Sequence, residues 1–202
     1  MATRSNAMSE LVRFWLEWRH GCFLREAVPV PVYRNQSDID FMAIRPDGQQ
    51  LRLPTGADIG PRLIVETKDE HDWEPSGRDF SSALLSDIGK MASGLWIPKR
   101  AKGVKFTMLR QEHHEVASET FSRGEDFDRL FVFHAVDRDL LGDHIGWLQE
   151  RRIHLLTVQE VLRDLQAWYK EQKRPGHIRN ALTGDLFHLL FGFCGVTVRP
   201  DH

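Results

Sequence analysis

The chain has 202 residues, of which 41% are hydrophobic and 28% charged, and its formal net charge is −2 at pH 7. This length is enough for one hydrophobic core, and the composition is typical of an ordinary globular protein. No stretch reaches the roughly 18 to 20 apolar residues of a membrane-spanning helix, and no secretory leader is evident. The near-neutral charge provides no overall attraction for nucleic acid, so a polyanion would need local charges and a bound cation. We therefore expect a cytoplasmic protein with no membrane partner.

The first seven residues are polar and aperiodic, and they stand directly before a second methionine, Met8. We expect residues 1–7 to be a leader outside the fold, either the remnant of an expression tag or a disordered segment. Residues 8–202 are expected to form a single domain with a helical extension over about 176–195.

The spacing of the apolar residues predicts the secondary structure in chain order. Ser9 is expected to cap the first helix and Gly21 to end it. Pro29 and Pro31 place the next strand at a sheet edge, because proline cannot donate to a strand ladder. We predict helices over 9–20, 79–96, 111–123, 143–152, 157–173 (opened by a capping box) and 180–193, strands over 22–33, 38–45, 62–68, 104–109, 129–136 and 153–156, and a polar connection over 49–61. An antiparallel meander followed by alternating strands and helices predicts an α/β fold with a mixed sheet.

Charged residues end the strand predicted over 62–68. Glu66 and Lys68 lie two residues apart, so they share one face of the strand about 7 Å apart along it. In the preceding strand, Asp40 leads into an apolar run. Two acids and a lysine at the ends of adjacent strands form a site for a hard cation beside a fixed positive charge. The pattern predicts metal-dependent hydrolysis of a phosphodiester.

The order of these features resembles that of the PD-(D/E)XK nuclease superfamily, and within it the archaeal Holliday junction resolvases. The likeness rests on a helix with Glu10, a strand with Asp40, the triplet 66–68 and a following helix with Lys90. It covers roughly residues 9–109. The resemblance implies the restriction-endonuclease-like fold, in which an antiparallel meander and parallel strands form one mixed sheet flanked by helices.

The resemblance also implies an activity, that of a divalent-metal-dependent endonuclease acting on DNA in repair, recombination, restriction or defence. Asp40 and Glu66 would bind Mg²⁺, or Mn²⁺ in its place, with the backbone carbonyl of Thr67. Glu10 would bind through water or a second metal ion. Lys68 would orient and activate the attacking water and offset charge on the phosphate.

In the same resemblance, Lys90 would contact the substrate phosphate. Asp38 competes with Asp40 for the first carboxylate position, because both lie on one strand face. The chain also lacks a strongly basic face. A catalytically inactive nuclease-fold interaction module and an RNA-directed nuclease therefore remain alternatives. The apolar last helix indicates either a homodimer or packing on the chain's own sheet.

Other candidate residues favour structural interpretations. His113 and His114 point about 100° apart on a helix, which indicates a solvated polar face rather than a metal pair. The basic cluster over 99–105 is interpreted as a solvated turn, with a phosphate-docking surface as the alternative. Cys22 and Cys194 lie in apolar stretches without metal-ligand spacing, so both are expected to be free buried thiols.

Overall fold

A computed structural model describes residues 7–32, 35–68, 77–92, 106, 109–122, 126–172 and 182–199. The strands are β1 (Phe23–Val32), β2 (Asn35–Ile44), β3 (Leu51–Arg52), β4 (Asp58–Ile59), β5 (Arg62–Lys68), β6 (Asp128–Phe133) and β7 (Ile153–Thr157). The helices are α1 (Ala7–Phe14), α2 (Arg78–Ala92), α3 (Gln111–Ser122), α4 (Arg138–Leu141), α5 (His144–Glu150), α6 (Val158–Glu171) and α7 (Leu182–Phe187). Two π-helical segments, Trp15–Arg19 and His188–Phe193, continue α1 and α7.

Five strands form one mixed sheet in the order β1-β2-β5-β6-β7. The pairs β1–β2 and β2–β5 are antiparallel, and the pairs β5–β6 and β6–β7 are parallel. The pairing changes at β5 because the chain from β5 to β6 passes through α2 and α3, a crossover long enough to return it in the same direction. The predicted fold class, an α/β mixed sheet flanked by helices, is confirmed.

Two hydrophobic cores lie on opposite faces of this sheet. Leu63 and Val65 of β5 face a core built with α1, α6 and α7, and Ile64 faces a second core built with α2, α3, α4 and α5. This division follows from the alternation of side chains along a strand. Because both faces of β5 and β6 are covered, these strands have nearly continuous apolar sequences.

Local sequence signals are confirmed at two helix ends. The Thr157 hydroxyl oxygen accepts a hydrogen bond from the Glu160 backbone N–H (3.1 Å), and the Glu160 carboxylate accepts one from the Thr157 N–H (2.7 Å). This reciprocal capping box begins α6. Gly21 has φ 67° and follows the first helix, as the sequence predicts.

Several predictions about local structure are wrong. The connection over 49–61 contains a small hairpin formed by β3 and β4, and α4 was not predicted. Ser9 lies within α1 instead of capping it, because the helix begins at Ala7. Cys22 is buried as expected, but Cys194 is exposed.

Other predictions fall outside the described residues. These are the leader over 1–6, the helix end over 93–96, most of the strand over 104–109, the basic cluster over 99–105 and the first part of the helical extension, 176–181. Residue 7, which we assigned to the leader, is the first residue of α1.

Across the ranges that the structure describes, no helix is long and apolar enough to cross a membrane.

Candidate functional site

The end of β5 carries the two charged residues that the sequence singled out. Glu66 is buried, with 6% of its side chain exposed, whereas 32% of the Lys68 side chain is exposed. Their charged groups are in direct contact. The alternation of β5 therefore places a buried carboxylate and a solvent-reaching ammonium side by side, as the two-residue spacing predicts.

Asp40 reaches the same end of the sheet from β2. The antiparallel register pairs Phe41 with Val65, so the next position places Asp40 opposite Glu66. Asp40 lies close enough to Glu66 for its negative charge to act on the Glu66 carboxyl. The structure thus brings together Asp40, Glu66 and Lys68.

Thr67 holds the Asp40 carboxylate through a single oxygen atom. Oδ2 of Asp40 accepts hydrogen bonds from the Thr67 backbone N–H (2.6 Å) and from the Thr67 hydroxyl (2.9 Å). The hydroxyl of Ser9 in α1 lies 2.9 Å from the Thr67 hydroxyl oxygen. Three elements, β2, β5 and α1, are therefore linked at this carboxylate.

Burial dominates the electrostatics of Glu66. It raises the pKa of the Glu66 carboxyl; the Lys68 ammonium opposes this shift, and the Asp40 carboxylate adds to it. A buried acid costs stability unless it is paired, so the pair with Lys68 offsets part of that cost.

The strand beside Asp40 has an unusual backbone conformation. The register of β1 and β2 places Ala27 opposite Asp40. Ala27 has φ 47°, in the left-handed region that non-glycine residues seldom adopt. Strained residues of this kind cluster at functional sites, which agrees with a functional role for Asp40.

Glu10 pairs with a neighbour in its own helix. Its carboxylate is 4.0 Å from the Arg13 guanidinium, and 44% of its side chain is exposed. Helix α1 packs on the face of the sheet that carries Leu63 and Val65, opposite to the face of Glu66. Ser9 of α1, which the sequence analysis assigned to a helix cap, contacts the site through its hydroxyl.

Lys90 is held by a neighbour in α2. Its ammonium lies 3.1 Å from Asp87 Oδ1, and 48% of its side chain is exposed. Asp87 is buried, and its other carboxylate oxygen accepts a hydrogen bond from the Phe106 backbone N–H (3.0 Å). Lys90 therefore has a structural partner while its side chain still reaches solvent.

The sequence left open whether Asp38 or Asp40 occupies the first carboxylate position, and the structure describes the two residues to different extents. Asp38, two positions before Asp40 in β2, pairs with Pro29 of β1, and its side chain lies outside the described part. The Asp40 carboxylate contacts β5 through the Thr67 backbone N–H.

The two histidines of α3 correct a prediction. His113 and His114 are buried, with 1% and 8% of their surface exposed, and do not form a solvated face. The His114 ring lies 2.8 Å from the Phe127 carbonyl oxygen. Helical spacing alone did not indicate that the two polar side chains are buried inside the protein.

The chemistry of the donor atoms fits a hard divalent cation. Asp40 and Glu66 provide carboxylate oxygens, and Mg²⁺ needs only one or two carboxylates because it keeps several waters. Among the described residues, no group of three or more His, Cys, Asp or Glu side chains could hold a metal ion. The arrangement therefore offers two carboxylates, without the third from Glu10 that the resemblance implies.

Comparison with protein-family models, curated proteins and solved structures finds no match to this chain. Fold and site together define an α/β protein with two acids and a lysine clustered where two antiparallel strands of a mixed sheet meet.

Proposed function

We propose that this protein is a divalent-metal-dependent endonuclease that hydrolyses phosphodiester bonds of DNA. The observation that supports the proposal is the proximity of Asp40, Glu66 and Lys68 at the ends of two adjacent strands. Each residue type matches a need of this reaction: carboxylates for a cation and an ammonium for a phosphate or its attacking water.

In this proposal, Asp40 and Glu66 hold Mg²⁺, or Mn²⁺ in its place, with the backbone carbonyl of Thr67 as a further donor. When bound there, such a cation would supply Lewis-acid polarisation of a phosphoryl oxygen and would lower the pKa of a water. Lys68 orients the attacking water and offsets the negative charge that develops on the phosphate. Its exposure suits this role, because a substrate approaches from solvent.

The burial of Glu66 supports a functional interpretation of the pair. An acid in apolar surroundings raises the free energy of the folded state, and a strand end needs no such residue for stability. Buried acids with a shifted pKa are common at sites that bind ligands or catalyse reactions.

A cleavage panel tests the proposal. Supercoiled plasmid, linear duplex, single-stranded DNA, a four-way junction and single-stranded RNA are each incubated with Mg²⁺, Mn²⁺ or a chelator. We expect metal-dependent cutting of DNA by the wild type and its loss in Glu66→Ala. The matched control is Glu150→Ala, which removes an exposed acid from the end of α5.

The other outcomes separate the alternatives. Metal-dependent cutting confined to RNA would identify an RNA-directed nuclease. Binding without cutting of any substrate, by a protein shown to be folded, would favour the inactive interaction module and refute the nuclease proposal.

We also propose that the protein forms a homodimer through the face of α7 and its π-helical continuation that points away from the core. Leu186, Leu189 and Phe193 are 51%, 51% and 83% exposed. Residues 186–196 include no Asp, Glu, Lys or Arg, so no like charge opposes contact with a second copy. Phe187 of the same helix is buried against Phe14 and turns away from this face.

Light scattering coupled to size exclusion tests the homodimer. We expect twice the monomer mass for the wild type at micromolar concentration and the monomer mass for Leu189→Lys with Phe193→Lys. A wild type that elutes at the monomer mass would refute the dimer without affecting the nuclease proposal.

A further inference from the structure

We propose that the Thr67 hydroxyl, oriented by Ser9, is a positioning device that aims the Asp40 carboxylate at the divalent cation. This inference rests on the proposed nuclease function. It concerns two side chains for which the resemblance implies no role.

The direction of the hydrogen bonds follows from the number of protons. The Thr67 hydroxyl donates to Asp40 Oδ2 and has only one hydrogen. In its contact with Ser9, Thr67 must therefore accept, and Ser9 must donate. The series of hydrogen bonds therefore runs in one direction, with Ser9 donating to Thr67 and Thr67 donating to Asp40.

The two donors of Thr67 act on the same oxygen. Its backbone N–H and its hydroxyl both bind Oδ2 of Asp40, which determines the rotation of the carboxylate group. Within the described residues, Oδ1 of Asp40 accepts no hydrogen bond, which leaves this oxygen available to the proposed cation. Mutation of a partner that orients a metal-binding group in this way typically lowers metal affinity by about 10- to 100-fold.

Ser9 explains how α1 contributes to the site. Helix α1 lies across the sheet from Glu66, and its acid Glu10 pairs with Arg13. The contact from Ser9 polarises the Thr67 hydroxyl and strengthens its bond to Asp40, because hydrogen bonds in a chain reinforce one another.

The test measures Mn²⁺ binding by calorimetry in the absence of substrate. Thr67→Val keeps the shape of the side chain and the backbone N–H but removes the hydroxyl. We expect it to weaken Mn²⁺ binding about tenfold. Thr67→Ser restores the hydroxyl and is expected to bind within about threefold of the wild type, whereas Ser9→Ala weakens binding by about two- to fivefold.

Cleavage assays supply the second measurement. For Thr67→Val we expect a higher Mn²⁺ concentration at half-maximal rate and a rate at saturating Mn²⁺ closer to that of the wild type. Thermal unfolding of each variant verifies the fold. If Thr67→Val does not fold, Ser9→Ala carries the test, because it removes the donor that orients the Thr67 hydroxyl.

Asp40→Asn distinguishes the two proposals. If the wild type binds Mn²⁺, Asp40→Asn abolishes binding and folded Thr67→Val binds like the wild type, the positioning role is refuted and the metal site stands. Equal losses in Thr67→Val and Thr67→Ser would also refute it. A wild type that binds no Mn²⁺, or an Asp40→Asn variant that binds it normally, would overturn the metal site itself.

Discussion

The buried carboxylate of Glu66 contacts the ammonium of Lys68 two residues later on the same face of β5. Removing one partner of a buried pair leaves an uncompensated charge, which is more costly than removing both. Because Lys68 is partly exposed, we expect Lys68→Met to lower the free energy of unfolding by only about 1–2 kcal/mol. Glu66→Gln is expected to be nearly neutral or stabilising, because it removes the buried charge.

A double-mutant cycle measured by urea unfolding checks this coupling. The variant with both Lys68→Met and Glu66→Gln should be more stable than Lys68→Met alone. Strictly additive effects of the two substitutions would contradict an energetic link between the two side chains.

Lys90 provides a test of substrate contact. If its exposed ammonium meets a phosphate, Lys90→Met should weaken binding of a labelled DNA duplex and reduce the salt dependence of binding by about one ion. Lys170→Met is the matched control, because it removes the same charge from an exposed position on α6, on the other side of the sheet. Fluorescence anisotropy in the presence of a chelator, at several salt concentrations, measures the affinity for DNA and its salt dependence for each variant. Equal losses of DNA affinity in the two variants would indicate a general effect of charge and would refute a contact between Lys90 and the phosphate.

The buried imidazole of His113 predicts acid sensitivity. Burial, together with the positive charges of Arg110 and Arg129 and the neighbouring His114, lowers the pKa of His113 to about 4. The unfolded chain takes up a proton near pH 6.5, whereas the folded chain does so only near pH 4. Stability is therefore complete above pH 6.5 and falls as the pH decreases from 6.5 to 4, by up to about 3 kcal/mol from this group.

Urea unfolding between pH 7 and pH 4.5 measures this contribution. His113→Leu should reduce the slope of the free energy of unfolding against pH by up to the contribution of one bound proton. His144→Leu, at an exposed position of α5, should leave that slope unchanged. An equally steep decline in His113→Leu would assign the acid sensitivity to other groups, among them His20, whose pKa burial also lowers to about 4.

Gly77, directly before α2, packs closely against the segment that follows β6. It has φ 68°, and an added Cβ would lie 2.5 Å from the carbonyl carbon and oxygen of Ala135. Gly77→Ala should therefore destabilise the protein by about 2–4 kcal/mol through backbone strain and overlap. Gly21→Ala is the control, because Gly21 has φ 67° but open space around its Cβ position, and should cost about 1 kcal/mol. Similar losses of thermal stability in the two variants would refute the steric contribution.

Most of the sheet was predictable because strands are encoded by short-range patterns. Alternation and apolar runs identified β5, and the two-residue spacing placed Glu66 and Lys68 on one face. The capping box at Thr157 was equally local, since its donor and acceptor lie within one helical turn. For these features, the backbone geometry of a single element determines the outcome.

Only the tertiary structure decided which neighbours each side chain meets. Ser9 is an ordinary helix-cap residue in the sequence, yet its hydroxyl contacts Thr67, 58 residues later. His113 is a polar helix residue, yet it is buried. Periodicity determines the direction in which a side chain leaves its element, but the packing of distant elements determines whether it meets water, a charge or a hydrogen-bond partner.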